Sequence, residues 1–222
     1  MASERVRKRY VHALRFQWLT PAYDTIIKTT TREQRFKQAL ISQAQLGAGH
    51  QVLDVGCGTG TLAIWIKQRH PDVSVTGIDG EPAILAIARQ KAQKAGVSVV
   101  FKQALAYSLP FPDHCFDRVF SSLLLHHMVW EDKVRTAREV FRVLKPGGTW
   151  HVADWGAPAH RIMRLLFFSI QLLDGFEQTR DHVTGRLPEL FARAGFQEVQ
   201  VGPSFSTLYG TLTLYQGRRP LA

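Results

Sequence analysis

A glycine-rich turn follows a short apolar segment in the first third of the chain. Residues 52–60 read VLDVGCGTG, so glycine recurs at positions 56, 58 and 60. The apolar residues before the turn predict a buried strand, and the missing Cβ atoms allow a sharp bend and close approach of a ligand. A helix is predicted at 61–69, and the first N–H groups of a helix lack partners within it. Together these features predict a nucleotide-binding corner.

Two acidic residues accompany this turn. Asp54 lies within the strand, and Asp79 ends the next predicted strand, about 20 residues beyond the turn, where a carboxylate can bind ribose hydroxyls. The glycine spacing is G-x-G-x-G, whereas dinucleotide-binding turns have G-x-G-x-x-G. We therefore expect a nucleoside-containing ligand other than NAD.

A second group of polar residues follows two later predicted strands. His126 and His127 come directly after the strand at 116–125, and Asp154 lies at the end of the strand at 149–155. Histidine titrates near neutral pH and is the better candidate for a general base. The alternative is that these histidines pack and form hydrogen bonds beneath a cofactor.

Strands and helices alternate along the chain, which predicts a doubly wound, mainly parallel α/β sheet with its ligands at the carboxyl ends of the strands. Two late strands are expected to close the sheet as an antiparallel pair. The predicted helices are at 32–45, 61–69, 82–95, 131–144, 162–173 and 188–194. The predicted strands are at 52–55, 73–78, 97–101, 116–125, 149–155, 199–201 and 208–215.

Four motifs in this order resemble those of the class I S-adenosylmethionine-dependent methyltransferases. They are VLDVGCGTG, GIDGEPAILAIAR, LPFPDHCFDRVFSSLLLHH and REVFRVLKPGGTWHVADW, within residues 46–155. The resemblance implies a seven-stranded Rossmann-like methyltransferase fold, S-adenosylmethionine as the methyl donor and S-adenosylhomocysteine as the product. The N-terminal Tyr-Asp pair, the LPFPD loop and an apolar segment at 162–173 resemble the ubiquinone/menaquinone C-methyltransferase branch, which implies a small, apolar or amphiphilic acceptor.

The resemblance also implies the residues of the site. His126 and His127 are the candidate catalytic residues. Leu105 occupies a position where the family commonly has an acid that accepts the adenine amino group, so adenine contacts there are expected from backbone and apolar groups. The expected cofactor-binding residues are Tyr23, Asp54, Gly56, Cys57, Gly58, Gly60, Asp79, Gly80, Ala104, Leu105, Ala106, Ser121 and Ser122, and the expected substrate-binding residues are Trp155, Phe167, Phe168 and Gln171.

Three parts of the chain are expected from this interpretation. Residues 1–45 form a basic helical segment that caps the site, residues 46–222 form the methyltransferase domain, and residues 157–187 form a substrate lid inserted in it. The apolar helix at 162–173 has three alternatives: a core helix, a wall of the acceptor pocket or a membrane-docking face. At twelve residues it is too short to cross a bilayer.

Composition bounds the remaining choices. The net charge is +10, and residues 1–40 hold nine Lys and Arg against three acidic residues. Such a patch could bind RNA or an anionic membrane, or be a solvated tail. Two cysteines are too few for a disulfide framework or a four-ligand zinc site, so we expect no metal and a cytoplasmic protein, monomeric or homodimeric. An RNA methyltransferase and a non-catalytic S-adenosylmethionine-binding module remain the alternatives, although no RNA-binding motif is present.

Overall fold

The structure is a computed structural model that describes residues 33–158 and 161–221, and within these ranges seven strands form one sheet in the order β3-β2-β1-β4-β5-β7-β6. Strands β1 to β5 are parallel, while β7 is antiparallel to both β5 and β6. The predicted doubly wound sheet and its antiparallel closing pair are confirmed. The strands are β1 (Gln51–Val55), β2 (Ser74–Asp79), β3 (Val100–Gln103), β4 (Phe116–Ser122), β5 (Leu144–Trp155), β6 (Gln197–Ser206) and β7 (Thr211–Arg218).

Helices connect the strands and cover both faces of the sheet. A short 3₁₀ turn, Leu125–His127, follows β4. The helices are α1 (Glu33–Gln43), α2 (Thr61–Arg69), α3 (Pro82–Lys94), α4 (Trp130–Val143), α5 (Arg161–Asp174), α6 (Phe176–Val183) and α7 (Leu187–Ala194).

The strand order reverses at β1, which positions the site. The chain proceeds from β1 to β2 and β3 on one side, then returns to place β4 on the other side of β1. At the end of β1, Val55 lies beside Ile78 of β2 and Ser121 of β4. A reversal of this kind opens a crevice outside the carboxyl ends of the strands. The glycine turn after β1 therefore lies at the centre of that crevice.

Two buried clusters, one on each face, hold the sheet. Val52 belongs to the cluster that includes α1, α2 and α3, whereas Leu53 and Val55 belong to the cluster that includes α4 and α7. Neighbouring strand residues point to opposite faces, so β1 must be apolar on both. Asp54 follows the alternation and lies on the face covered by α1 and α2.

Several predicted strand boundaries were wrong. Strand β4 ends at Ser122 rather than at residue 125, β6 covers Gln197–Ser206 rather than 199–201, and β7 covers Thr211–Arg218 rather than 208–215. The third strand starts at Val100 rather than at residue 97, because the N–H of Val97 still donates to Ala92 O of α3 at 3.1 Å. The fifth strand starts at Leu144 rather than at residue 149. There the ladder pairs Phe116 with Leu144 and then Arg118 with Thr149, so the intervening residues bulge from the strand.

The chain around the predicted lid contains an additional helix. Helix α5 covers the predicted apolar helix at 162–173, and α6 follows it in a stretch for which no helix was predicted. Most of the predicted N-terminal segment, including Tyr23, lies outside the described residues. Its last part is present as α1.

We expect Gly217→Ala to destabilise the fold by about 1–3 kcal/mol through overpacking. A Cβ atom at residue 217 would lie 2.6 Å from Cδ1 of the fully buried Phe191. Urea unfolding should show that Phe191→Leu is less damaging in the Gly217→Ala background than alone, because the smaller side chain relieves the clash. Strictly additive effects would mean that the two positions do not compete for space.

Candidate functional site

Each glycine of the turn after β1 has a left-handed backbone, with φ of 70° at Gly56, 53° at Gly58 and 77° at Gly60. Packing adds a second constraint at two of them. A Cβ at Gly56 would lie 2.5 Å from Cδ1 of Leu124, and one at Gly60 would lie 2.9 Å from Cζ of Phe101. A Cβ at Gly58 would have no neighbouring atom within 4 Å, so this side of the backbone faces open space.

The backbone N–H groups of this turn are largely used within the protein. Cys57 donates to Ile78 O at 2.8 Å, Gly58 donates to Oδ2 of Asp79 at 3.0 Å, and Gly60 donates to Cys57 O at 2.9 Å. These bonds fix the turn against the end of β2. At these three amides the turn therefore offers a ligand space and close approach, while the donors expected at the start of α2 remain a prediction.

Asp79 is held at the end of β2 with both carboxylate oxygens engaged. Oδ2 accepts from Gly58, and Oδ1 accepts from the N–H of Glu81 at 3.0 Å. Burial raises the pKa of Asp79, and these backbone hydrogen bonds oppose the rise. A carboxylate oxygen can accept more than one hydrogen bond, so Asp79 can still bind hydroxyl groups from the cleft. The next residue, Gly80, accepts from Nε2 of Gln103 at 3.2 Å.

Asp54 is buried without a hydrogen-bond donor. It is 1% exposed, and neither carboxylate oxygen has a hydrogen-bond partner among the described residues. Burial raises the pKa of Asp54 to about 7 and Asp79 adds to the rise, while the positive charge of Lys37 and the nearby backbone N–H of Ala63 oppose it. A buried carboxyl group with no donor indicates space for a polar or cationic ligand group.

Cys57 is not suited to nucleophilic chemistry. Its side chain is buried, and burial raises the pKa of the thiol well above its ordinary value. The thiol therefore remains protonated at neutral pH, whereas the thiolate is the reactive form.

The loop after β3 lies beside Asp79, as predicted. The N–H of Ala104 donates to Asp79 O at 3.1 Å, and Ser108 donates to Leu105 O at 3.0 Å. Leu105 is partly buried and Ala106 is 8% exposed. The structure therefore brings residues 104–106 to the same side of the turn as Asp79.

The two serines at the end of β4 differ. Ser121 is 1% exposed and its Oγ accepts from Nε1 of Trp150 at 3.2 Å, so its side chain supports the core. The Oγ of Ser122 is also buried but has no hydrogen-bond partner among the residues described.

Asp154, fully buried near the end of β5, organises the other half of the cleft. Its Oδ2 accepts from the N–H groups of Leu124 and Leu125, at 3.1 and 2.8 Å. Its Oδ1 accepts from the N–H of Trp155 and pairs with Nδ1 of His126, each at 2.8 Å. Burial alone would raise the pKa of Asp154, but the two neighbouring histidines and these hydrogen bonds hold it below its ordinary value. The group is therefore a permanent buried anion.

The carboxylate fixes the orientation of His126. Since Nδ1 faces Oδ1 of Asp154, the neutral ring carries its proton on Nδ1 and its lone pair on Nε2. His126 is 5% exposed, and the ring of His127 lies 4.0 Å from it, centroid to centroid. Of the two predicted histidines, the structure joins His126 to a carboxylate in the arrangement of a general base.

Three buried polar residues near this cluster were missed by sequence reasoning. Lys133 of α4 is 0% exposed and donates to Asp181 of α6 and to Gln178 O at 2.6 Å. His182 of α6 is also 0% exposed, and its Nδ1 lies 2.7 Å from Trp155 O. Lys133 shares a helical face with Ala137 and Val140. A lysine within such an apolar stripe is a pattern from which a buried lysine could have been predicted. Asp181 and His182 gave no signal, since α6 itself was not predicted.

The predicted substrate residues separate into two groups. Trp155 is 3% exposed, and its ring lies 5.6 Å from that of buried Phe167 and 6.2 Å from that of His126, centroid to centroid. Gln171 is buried and bonded to Arg164 and Thr179. Phe168 is 45% exposed on the outer side of α5, apart from this cluster.

Comparisons with known proteins agree with the geometry. The family model described as "Methyltransferase domain" matches residues 52–148. A demethylmenaquinone methyltransferase of Thermus thermophilus is 34% identical over 154 residues, which are 68% of this chain and 69% of that protein. A 27-O-demethylrifamycin SV methyltransferase of Amycolatopsis mediterranei is 39% identical over 133 residues, 59% of this chain and 47% of that protein.

The fold is similar to that of solved structures. The crystal structure of the YcgJ protein from Bacillus subtilis superposes with a TM-score of 0.69 at 22% identity, covering 85% of this chain and all of that one. The chain spans about two thirds of the length of the Thermus relative and about half of the Amycolatopsis relative. Among the described residues, no helix is both long and apolar enough to span a membrane.

We expect Asp54→Asn to change how stability depends on pH. The folded-state pKa of about 7 lies above the ordinary 3.8, so the protonated carboxyl is the stable form and stability is lost as the pH rises through 7. That loss amounts to roughly 4 kcal/mol, an order-of-magnitude figure for a rise of about three units. Urea unfolding without ligand at pH 4 to 8 should show this decline in the parent protein and lose it in Asp54→Asn. Asp72→Asn on the surface is the control, and an unchanged slope in Asp54→Asn would refute the assignment.

Proposed function

This chain belongs to the class I S-adenosylmethionine-dependent methyltransferases, in the ubiquinone/menaquinone C-methyltransferase-like branch, and from that premise we propose that it methylates a ring carbon of a small, apolar, quinol-type acceptor. Its methyl donor is S-adenosylmethionine and its product is S-adenosylhomocysteine. The observation that carries the proposal is the pair of apolar rings, Trp155 and Phe167, next to a histidine held by a buried carboxylate.

The cofactor side of the cleft suits the proposed donor. The unpartnered carboxylate of Asp54 would face its ammonium group, and Asp79 would accept hydrogen bonds from its ribose hydroxyls. The open space at Gly58 admits the ligand close to the backbone. The remaining residues assigned to this side are Gly56, Cys57, Gly60, Gly80, Ala104, Leu105, Ala106, Ser121 and Ser122. When bound, the cofactor supplies a methyl group on a sulfonium, which is already activated for in-line displacement.

The acceptor side supplies what a quinol needs. Trp155 and Phe167 would contact the apolar ring, and Nε2 of His126 would take the proton of a ring hydroxyl. Loss of that proton makes the neighbouring ring carbon more nucleophilic. Asp154 stabilises the imidazolium that forms, since its negative charge is buried 2.8 Å from Nδ1. His127 lies against His126 and would support its position.

Residues 157–187 are proposed to form the lid over this side. Helix α5 places Phe167 against Trp155, and α6 packs on the 3₁₀ turn that carries His126. Because these side chains are almost fully buried, the acceptor reaches them only when the lid moves away from the strand ends. Closure of the lid then excludes water from the reaction.

The outer face of the lid is apolar as well. Leu165, Phe168 and Leu172 of α5 and Phe176 of α6 are exposed at 74, 45, 65 and 51%. Exposed arginines, Arg164 and Arg180, lie in the same helices, and the chain carries a net charge of +10. We propose that this face docks on an anionic lipid bilayer, from which an apolar acceptor would be taken.

The direct test of the function is incubation with methyl-labelled S-adenosylmethionine and a short-chain prenyl-1,4-naphthohydroquinone under oxygen-free, reducing conditions. Mass spectrometry should find the label on a ring carbon. A label on oxygen, or none, would contradict C-methylation. Two further acceptors address the alternatives: a macrocyclic alcohol, suggested by the Amycolatopsis relative, and bulk RNA, suggested by the basic N-terminus.

Phe167→Ala and Phe168→Ala form a matched pair for the pocket wall. Phe167 is buried, so its truncation to alanine should raise the KM for a water-soluble quinol at least about tenfold. The same change should lower the free energy of unfolding by roughly 3–5 kcal/mol. The exposed Phe168 should leave that KM within about twofold. Affinity for S-adenosylmethionine, measured by calorimetry below the melting transition, should stay constant in both. A parallel loss of cofactor and acceptor binding in Phe167→Ala would indicate a purely structural residue.

The double variant Leu165→Ser/Leu172→Ser tests the docking face. It should reduce co-sedimentation with phosphatidylglycerol vesicles several-fold while leaving turnover of a water-soluble quinol unchanged. The control is Val100→Ser/Val201→Ser, which changes two exposed apolar residues on the edge strands β3 and β6. Unchanged vesicle binding with a changed elution volume would show that the face is a contact between two copies of the chain.

A further inference from the structure

We propose that His182 recognises a hydroxyl group of the acceptor, whose hydrogen bond it accepts at Nε2. The inference rests on the proposed function and specifies the chemistry of its acceptor: a ring that carries at least one hydroxyl. Four features of the lid and of the end of β5 support it.

The protonation of His182 follows from its partner. Nδ1 lies 2.7 Å from the carbonyl oxygen of Trp155, and a carbonyl can only accept, so Nδ1 carries a proton. The pKa of His182 is lowered to about 4, mainly by burial; Asp154 and the hydrogen bond to Trp155 O oppose this fall, and the charges of Lys133 and His126 add to it. The ring is neutral at physiological pH. Nε2 therefore presents a lone pair.

That lone pair has no donor. Among the residues that the structure describes, Nε2 of His182 is a buried acceptor and Nε1 of Trp155 a buried donor, and neither has a hydrogen-bond partner. A buried polar atom left unpaired costs about 1–3 kcal/mol. A hydroxyl group can donate to Nε2 of His182, so it is the kind of ligand group that complements this acceptor.

His182 lies where the acceptor is expected. Its ring centroid is 6.2 Å from that of His126, and its Nδ1 is 3.8 Å from Oδ1 of Asp154. The same carboxylate thus neighbours both histidines. A hydroxyl bound at His182 would hold the ring against Trp155, within the reach of the residues already assigned to the acceptor side.

The position of His182 is also fixed by contacts between α6 and α4. Lys133 of α4 reaches Asp181 and Gln178 O, so a buried cation anchors the residue just before His182 and the turn below it. Thr179, also buried, donates to Gly175 O at 2.7 Å. A buried ion pair is weak support for stability, but it does fix geometry, as an orienting residue requires.

His182→Asn is the sharpest variant, because the Asn amide can keep the hydrogen bond to Trp155 O while Nε2 is lost. The matched control is His151→Gln. His151 is likewise buried, with Nε2 bonded to Thr149 and Nδ1 unpartnered, but it lies within β5 and away from the lid. Both variants remove one unpartnered imidazole nitrogen from a buried site.

The measurement compares two ligands by calorimetry with S-adenosylhomocysteine present, without oxygen. One is a short-chain prenyl-2-methyl-1,4-naphthohydroquinone, and the other has hydrogen in place of both hydroxyls. The parent protein and His151→Gln should prefer the hydroquinone at least about tenfold. His182→Asn should reduce that preference several-fold, and the part that remains is the share supplied by the hydroxyl at His126. Affinity for S-adenosylhomocysteine should not change in any of them.

Two negative results are distinguishable. If folded His182→Asn keeps the full preference, the inference is overturned while the proposed function stands, and Nε2 is then satisfied by water. If the parent protein neither binds this hydroquinone nor methylates its counterpart without the 2-methyl group, the proposed function fails and the assignment of His182 fails with it.

Discussion

The carboxylate of Asp154 is the interaction on which the rest of the acceptor side depends. It receives three backbone N–H groups and one histidine at the end of β5, with a second histidine 3.8 Å away. These donors hold the 3₁₀ turn of His126 against the strand end. Because the anion is fully buried, its attraction for a neighbouring positive charge is little screened by water. For His182, protonation is opposed by burial and by Lys133 and favoured by Asp154.

Asp54, near the end of β1, differs from Asp154 in its charge state. It has no hydrogen-bond donor, and its pKa rises to about 7, whereas Asp154 is well supplied with donors and stays ionised. Ionisation of Asp54 is thus unfavourable until a cationic ligand binds, whereas the charge of Asp154 is already stabilised by hydrogen bonds within the protein. We propose that this difference separates the two halves of the cleft, Asp54 and Asp79 for the donor and Asp154 for the acceptor.

The sequence was most informative where local pattern and tertiary environment agree. The apolar run of β1, the alternating glycines and Asp79 predicted the turn and its place at the strand ends. The doubly wound, mainly parallel sheet and the antiparallel closing pair also followed the prediction. The start of β3 was misjudged because the last hydrogen bond of α3 extends to Val97, and backbone bonds of this kind leave no trace in hydropathy. The bulge in β5 was hidden by the turn-forming residues at 145–148.

The lid was the least predictable part of the site. Helix α6 is short, and its buried residues, Thr179, Asp181 and His182, are polar, so no apolar stripe marks it. The roles assigned to Lys133 and His182 depend on contacts between α4, α6 and β5, and such contacts cannot be predicted from sequence spacing. Phe167 and Phe168 illustrate the same limit: adjacent in sequence, they lie on opposite sides of α5.

The central claim is that Asp154 serves the acceptor side alone, and Asp154→Asn tests it most directly. The asparagine oxygen can still accept from the amides of Leu124 and Leu125. Its NH₂ group takes the place of the other oxygen, so it no longer accepts from Trp155 and instead donates to Nδ1 of His126, which moves the ring proton to Nε2, where a proton acceptor is needed. We predict that S-adenosylmethionine affinity, measured by calorimetry, stays within about threefold while kcat for quinol methylation falls at least about a hundredfold. A parallel fall in cofactor affinity, or full turnover in the folded variant, would contradict the account.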